Sequence, residues 1–89
     1  MQTKFTFHTD PGHGWLEVDV DLLIDLNIHR KITSYSYCDG TRAYLEEDCD
    51  ASTFIQAYKA KHGRRPDFVD KYAEYTFIRS LRPYGMDSY

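Results

Sequence analysis

Several features that would point to a membrane protein or to a nucleotide-binding enzyme are missing from this 89-residue chain. No apolar run approaches the roughly 18 residues that a membrane-spanning helix needs. The segment MQTKFTFHTD has no basic stretch followed by an apolar one, so we expect no signal peptide and predict a cytoplasmic protein. The only glycine-rich stretch, GHG at 12–14, is too short for a phosphate-binding loop and is not followed by a predicted helix.

Cysteine is scarce, which excludes a disulfide framework. Cys38 and Cys49 are the only two, and we interpret them as reduced, half-buried small residues. Cys49 is the better candidate nucleophile, because the start of a helix lowers the pKa of a thiol. No base accompanies it in the sequence pattern.

The chain also lacks a dense basic stripe. Its net charge of −3 is divided unevenly: residues 1–50 carry ten acidic and four basic side chains, and residues 51–89 carry four acidic and seven basic ones. A nucleic-acid-binding domain usually concentrates its positive charge on one face. We therefore predict that nucleic acid is not the partner.

Aromatic residues, in contrast, are abundant. Eight tyrosines and five phenylalanines contribute most of an aromatic share of 16%, and 42% of the residues are hydrophobic. Aromatic side chains give a short chain more buried area per residue than aliphatic ones. The composition predicts a single small globular domain over residues 1–89.

Two hairpins are predicted from alternating patterns around turns. The first joins residues 4–8 to residues 15–18 through Asp10-Pro11-Gly12, whose residue types suit a tight turn. The second joins residues 32–38 to 41–47 through Asp39-Gly40. A two-residue loop there predicts that Cys38 faces Thr41 and that Tyr35 faces Tyr44.

Two helices follow from capping signals and apolar spacing. A short helix containing Leu22, Leu23 and Leu26 begins after Asp19 or Asp21 and ends at Asn27. A longer helix over residues 51–62 begins after Asp48 or Asp50, and Gly63 ends it.

The last quarter of the chain is ambiguous between strand and helix. Residues 68–72 suit either, residues 76–81 read as extended, and the tail from Pro83 to Tyr89 reads as loose. We predict one further strand that closes the sheet. The predicted fold is α+β, with a mainly antiparallel sheet of two hairpins plus an extra strand, two helices on one face, and the order β-β-α-β-β-α-β.

An aromatic patch on the outer face of the second hairpin is the main candidate binding site. Alternation predicts that small or aliphatic residues face the helices and that the tyrosines face outwards. Aromatic and arginine side chains are typical of binding hot spots. Alternatively, the tyrosines pack beneath the C-terminal segment. The candidate partner-binding residues are Trp15, Tyr35, Tyr37, Arg42, Tyr44 and Glu46.

Two further clusters are weaker candidates, in both cases for a metal-binding site. His8, Asp10 and His13 are three potential metal ligands within six residues, but a structured turn explains the same residues. The acidic run Glu46-Glu47-Asp48-Cys49-Asp50 could bind a divalent cation, but a strand end followed by a helix start also favours negative charge.

Three separated motifs, GHGWLEV, ITSYSY and YLEEDCDASTF, resemble a family of small uncharacterised proteins encoded in bacterial, phage and plasmid genomes. The resemblance covers Phe5 to Tyr58 and transfers no catalytic residue. It implies an accessory role in mobile elements, such as blocking a host defence complex.

The leading hypothesis is a non-enzymatic protein-binding protein without a cofactor. The alternatives are a small metal-binding module or metal-dependent enzyme using His8, Asp10 and His13, and a self-associating structural subunit that forms a homodimer.

Overall fold

The first hairpin follows the sequence pattern closely. In the computed structural model, which describes residues 2–85, β1 (Lys4–Thr9) pairs antiparallel with β2 (Gly14–Asp19). The turn closes when the Asp10 N–H donates to the His13 carbonyl at 2.9 Å. The Asp10 carboxylate accepts the backbone N–H groups of Gly12 and His13, at 2.9 and 2.8 Å. The predicted turn chemistry is confirmed.

The second hairpin is shorter than predicted and is shifted along the chain. β3 (Tyr37–Cys38) pairs with β4 (Arg42–Glu46), with Cys38 opposite Ala43 and Tyr37 opposite Tyr44. The predicted register is wrong, because the turn lies at Gly40-Thr41, one residue later than predicted, which leaves Arg42 opposite Asp39. The Asp39 N–H donates to the Arg42 carbonyl, and its carboxylate accepts two backbone N–H groups that lower its pKa. The register differs from the predicted one by two residues, so Tyr37, Cys38, Ala43 and Tyr44 keep their predicted faces, whereas residues 32–36 are not part of the strand.

Both helices are present, and their ends lie where predicted except for the N-cap of α2. α1 (Val20–Asp25) begins after Asp19 and is followed by Asn27 at a positive φ of 58°. α2 (Asp50–His62) ends at Gly63, whose φ is 74° and whose N–H donates to the Lys59 carbonyl at 2.8 Å. Cys49 is the N-cap residue of α2, and neither helix has a side-chain cap hydrogen bond. The Asp50 carboxylate instead binds the loop before β3.

The sheet separates two clusters of buried side chains. On one face, strand residues such as Phe5, Leu16 and Leu45 pack against Leu23 of α1 and Phe54 of α2. On the other face, called here the outer face, a smaller cluster contains Trp15, Tyr44 and Ile78, with Tyr37 and Leu81 packed against it.

The outer face is covered by a 3-10 helix (Phe77–Ser80), where we predicted extended chain. That prediction is wrong for a local reason: the Thr76 hydroxyl accepts the Ile78 N–H at 3.4 Å and starts a helical turn. The turn allows the Ile78 side chain to bury itself completely against the sheet.

The C-terminal region adds strands to both edges of the sheet. β5 (Asp67–Tyr72) pairs parallel with β1, and β6 (Arg82–Pro83) pairs antiparallel with β3, giving the order β5-β1-β2-β4-β3-β6. The predicted mainly antiparallel α+β fold is confirmed, and residues 67–72 are strand.

The chain between Pro83 and Gly85 was predicted to be loose, and this prediction is wrong. Tyr84 is buried, and its hydroxyl donates to the His29 carbonyl at 2.6 Å. The rest of the predicted loose tail lies outside the described residues. Within residues 2–85, no helix is long and apolar enough to cross a membrane.

Candidate functional site

A cleft of about 420 Å³ opens on the outer face of the sheet, and we call it the outer-face cleft. The first hairpin turn, the loop before β3, the connection from β4 to α2 and the 3-10 helix all contribute to it. Its lining residues are His13, Trp15, Tyr35, Tyr37, Glu46, Asp48, Cys49 and Arg79.

Three aromatic rings of graded exposure form one wall of the cleft. Trp15 is only 2% exposed, and its ring centroid lies 6.3 Å from that of Tyr37 in an edge-to-face arrangement. Tyr37 is half-buried, whereas Tyr35, in the loop before β3, is 73% exposed. Buried aromatic rings beside an exposed one provide aromatic surface that a partner can contact at little cost in side-chain entropy.

Arg79 is held over this wall by an ion pair with Asp10. Its Nε donates to Asp10 Oδ2 at 2.6 Å, and a terminal nitrogen donates to Oδ1 at 3.2 Å. The guanidinium carbon lies 5.1 Å from the Trp15 ring centroid, within cation–π distance. The hydrogen bond from Arg79 holds the pKa of Asp10 well below its usual range. The charge of Arg79 is therefore already balanced within the protein.

The two acidic residues of the cleft are not balanced in this way. Glu46 lies opposite Trp15 in the strand register, and its carboxylate accepts the Asp48 N–H at 3.1 Å. In the described part of the chain, neither Glu46 nor Asp48 forms an ion pair with a basic side chain. The cleft therefore presents two carboxylates beside its aromatic wall.

The structure gathers four of the six candidate binding residues in this cleft and leaves out the other two. Tyr44 is buried, with its ring centroid 5.4 Å from that of Phe77. Arg42 points to the far end of the outer face, where it pairs with Asp19 at 3.5 Å and Glu17 at 3.9 Å. The C-terminal segment thus covers Tyr44 but leaves Tyr35 exposed, so each of the two interpretations of the tyrosines applies to part of the face.

The three candidate metal ligands have other neighbours. The Nε2 atom of His8 lies 2.8 Å from a carboxylate oxygen of Glu17, and the oxygens of Asp10 contact Arg79 and the turn backbone. The His13 ring packs 6.0 Å from that of Trp15. Among residues 2–85, no three histidine, cysteine, aspartate or glutamate side chains are grouped so that they could hold a metal ion.

The acidic run is likewise divided between different environments. Glu46 and Asp48 line the cleft, Glu47 is exposed, and Asp50 is buried beneath the loop before β3. Cys49 also lines the cleft, with its sulfur 4.0 Å from the Thr33 hydroxyl. Cys38 is buried on the helix face of the sheet.

Arg79 is the cleft residue that the sequence analysis missed. It lies 69 residues from Asp10, and no local pattern connects the two. Comparison with protein-family models, curated proteins and solved structures finds no match to this chain.

Proposed function

We propose that this protein is a non-enzymatic binding protein whose outer-face cleft receives a basic side chain, preferably arginine, from a protein partner. One observation carries the proposal: two carboxylates that have no basic partner within residues 2–85 lie beside an aromatic wall whose outermost ring, Tyr35, is 73% exposed. The cleft volume of about 420 Å³ falls within the range of ligand-binding pockets.

Arginine suits this chemistry better than lysine. A guanidinium plane stacks on an aromatic ring and also pairs with a carboxylate through two parallel hydrogen bonds. Tyr35 and Tyr37 offer the rings, and Glu46 and Asp48 offer the carboxylates. A phosphate group would be repelled by the same carboxylates, which disfavours nucleic acid as the ligand.

The proposed partner is a protein of the host cytoplasm. The motif resemblance to phage- and plasmid-encoded proteins supports a role in which the chain binds, and thereby inhibits, a component of a host defence complex. The excess of acidic residues in the first half of the chain would speed association with a basic surface.

Affinity capture from a bacterial host with paired variants tests this proposal. We expect Tyr35→Ala combined with Tyr37→Ala to lose a partner that the unmodified protein retains. Tyr75→Ala is the matched control, because Tyr75 is 93% exposed but does not line the cleft. Equal capture by all three proteins, each shown to be folded by circular dichroism, would overturn the proposed role of the cleft.

A further inference from the structure

The strand β5 forms one edge of the sheet, and no strand within residues 2–85 pairs with its outer side. All six of its residues are exposed, and the pairing that it makes is with β1 on its inner side. The opposite edge is formed by β6, which has two residues, one of them Pro83. An edge strand presents a row of unpaired backbone donors and acceptors. The sheet therefore has one edge that is long enough to pair with a further strand.

The backbone hydrogen bonds define which groups of β5 point outwards. The N–H groups of Asp67 and Ala73 donate to the carbonyls of Thr3 and Thr9 on the β1 side, at 2.8 and 2.9 Å. In a regular parallel ladder, residues that bond to the neighbouring strand alternate with residues that do not. The N–H and C=O groups of Phe68, Asp70 and Tyr72 consequently point away from the sheet.

The protection that this edge carries consists of three charged side chains, Asp67, Asp70 and Lys71. Phe68, Val69 and Tyr72 are 40, 53 and 63% exposed, and the strand contains no proline. Natural edge strands are commonly shortened, bulged, or interrupted by proline and inward-pointing charges to prevent pairing. A six-residue edge that combines exposed apolar side chains with charges of both signs can pair with a strand that offers complementary charges.

We propose that β5 pairs antiparallel with β5 of a second copy, across a two-fold axis that passes beside Val69. An axis normal to the sheet keeps each side chain on its own face, so residues that face each other are both even-numbered or both odd-numbered. In the proposed register, Phe68 and Asp70 of opposite copies exchange backbone hydrogen bonds, four in all.

Charge selects this register among the permitted ones. It places Asp67 of each copy opposite Lys71 of the other, giving two pairs of opposite charge across the strands. If the axis moved one residue towards the C-terminus, Asp70 would lie opposite Asp70 of the other copy. If it moved one residue towards the N-terminus, Arg65 would lie opposite Lys71. Asp67 already accepts a hydrogen bond from Arg64 at 3.0 Å, but both side chains are about half exposed, so that contact is weak and adaptable.

The proposed dimer leaves the outer-face cleft accessible. None of the cleft's lining residues belongs to β5, which lies at the far side of β1 from the strands that form the cleft. Self-association through β5 and binding through the cleft are therefore separable, and each has its own test.

Cysteine trapping tests the register directly. We expect Val69→Cys, in a Cys49→Ser background, to form an intermolecular disulfide on mild oxidation. In the proposed register Val69 lies opposite Val69 of the other copy as a non-hydrogen-bonded pair, and the Cα atoms of such a pair lie about 4.5 Å apart. The Lys71→Cys variant alone is the matched control and should not crosslink. A mixture of the Lys71→Cys and Asp67→Cys variants should crosslink, because the two positions lie opposite each other in the proposed register. If the Lys71→Cys variant alone crosslinked as fast as the Val69→Cys variant, the proposed register would be overturned.

Light scattering tests whether the dimer forms at all. We expect dimers at roughly 0.5 mM protein, since a single strand pair is a small interface of the weak class. Asp70→Pro should abolish them, because it removes an outward N–H but no bond to β1, whereas Asp70→Ala should retain them. Lys71→Glu should weaken the dimer about fivefold or more. A monomer at this concentration would overturn the proposal, even if a strand of another protein were found to bind β5.

Discussion

One carboxylate oxygen of Asp50 joins α2 to the loop before β3, and Ser36 of that loop extends the network to β4. Asp50 Oδ2 accepts the Thr33 N–H at 3.0 Å, the Thr33 hydroxyl at 2.7 Å and the Ser36 hydroxyl, and Ser36 Oγ in turn accepts the Glu46 N–H at 2.9 Å. The sequence predicted a helix-capping role for Asp50. The actual partners lie 14 and 17 residues away, and no local pattern specifies them.

Replacing Asp50 should therefore destabilise the fold strongly. Asp50→Ala leaves the part-buried donors of Thr33 and the buried hydroxyl of Ser36 without this acceptor, and we expect a loss of about 2–4 kcal/mol in the free energy of unfolding. Asp48→Ala, at an exposed position, is the control and should change it by less than about 0.5 kcal/mol. Urea denaturation followed by circular dichroism measures both, and equal losses would contradict this role of Asp50.

Tyr44 gives the fold a defined dependence on alkaline pH. Burial, reinforced by the negative charge of Glu17, raises its pKa to about 12 from an ordinary value of 10.0. The folded protein thus favours the neutral phenol. The stability that this contributes is complete below pH 10 and is lost as the pH rises towards 12.

We accordingly expect the native protein to lose stability relative to Tyr44→Phe as the pH is raised from 9 to 11.5. Phenylalanine has no hydroxyl to ionise in the unfolded state, so the comparison isolates the contribution of Tyr44. Urea unfolding of both proteins across this range measures the difference in free energy. A difference that does not change with pH would show that the Tyr44 hydroxyl is not shielded as described.

At the scale of elements, predictions from the sequence succeeded where a local pattern was sufficient. The alternation in residues 4–8 and the Asp-Pro-Gly turn specify the first hairpin, and Gly63 specifies the end of α2. The alternation in residues 32–36 was misleading, because Thr33 and Ser36 bind Asp50 instead of extending β3. The parallel pairing of β5 with β1 joins residues more than sixty positions apart, which no short-range signal indicates.

The 3-10 helix holds the outer face together through Ile78. Its side chain is fully buried with Trp15 and Tyr44, so Ile78→Ala should cost about 2–5 kcal/mol of unfolding free energy. Ile24→Ala, at a position 46% exposed on α1, is the control of the same residue type and should cost less than about 1 kcal/mol. Thermal or urea unfolding compares the two, and a smaller loss for Ile78→Ala than for Ile24→Ala would contradict this anchoring role.

At the scale of the whole molecule, the candidate site could be predicted only in part. Strand alternation placed Trp15, Tyr37 and Glu46 on the outer face correctly. It could not indicate that the C-terminal segment crosses this face, buries Tyr44 and brings Arg79 to Asp10. Those contacts join the two ends of the chain, and they determine which aromatic side chains remain available to a partner.

The most direct test of the proposed function is a titration followed by the fluorescence of Trp15, the only tryptophan in the chain and part of the cleft. The ligands are two short peptides that differ in one residue, arginine or its neutral analogue citrulline. We expect a saturable signal with the arginine peptide that weakens when Glu46→Gln and Asp48→Asn are combined, and little change with the citrulline peptide. Equal responses to both peptides, or no response to either, would contradict the proposed recognition of a basic side chain.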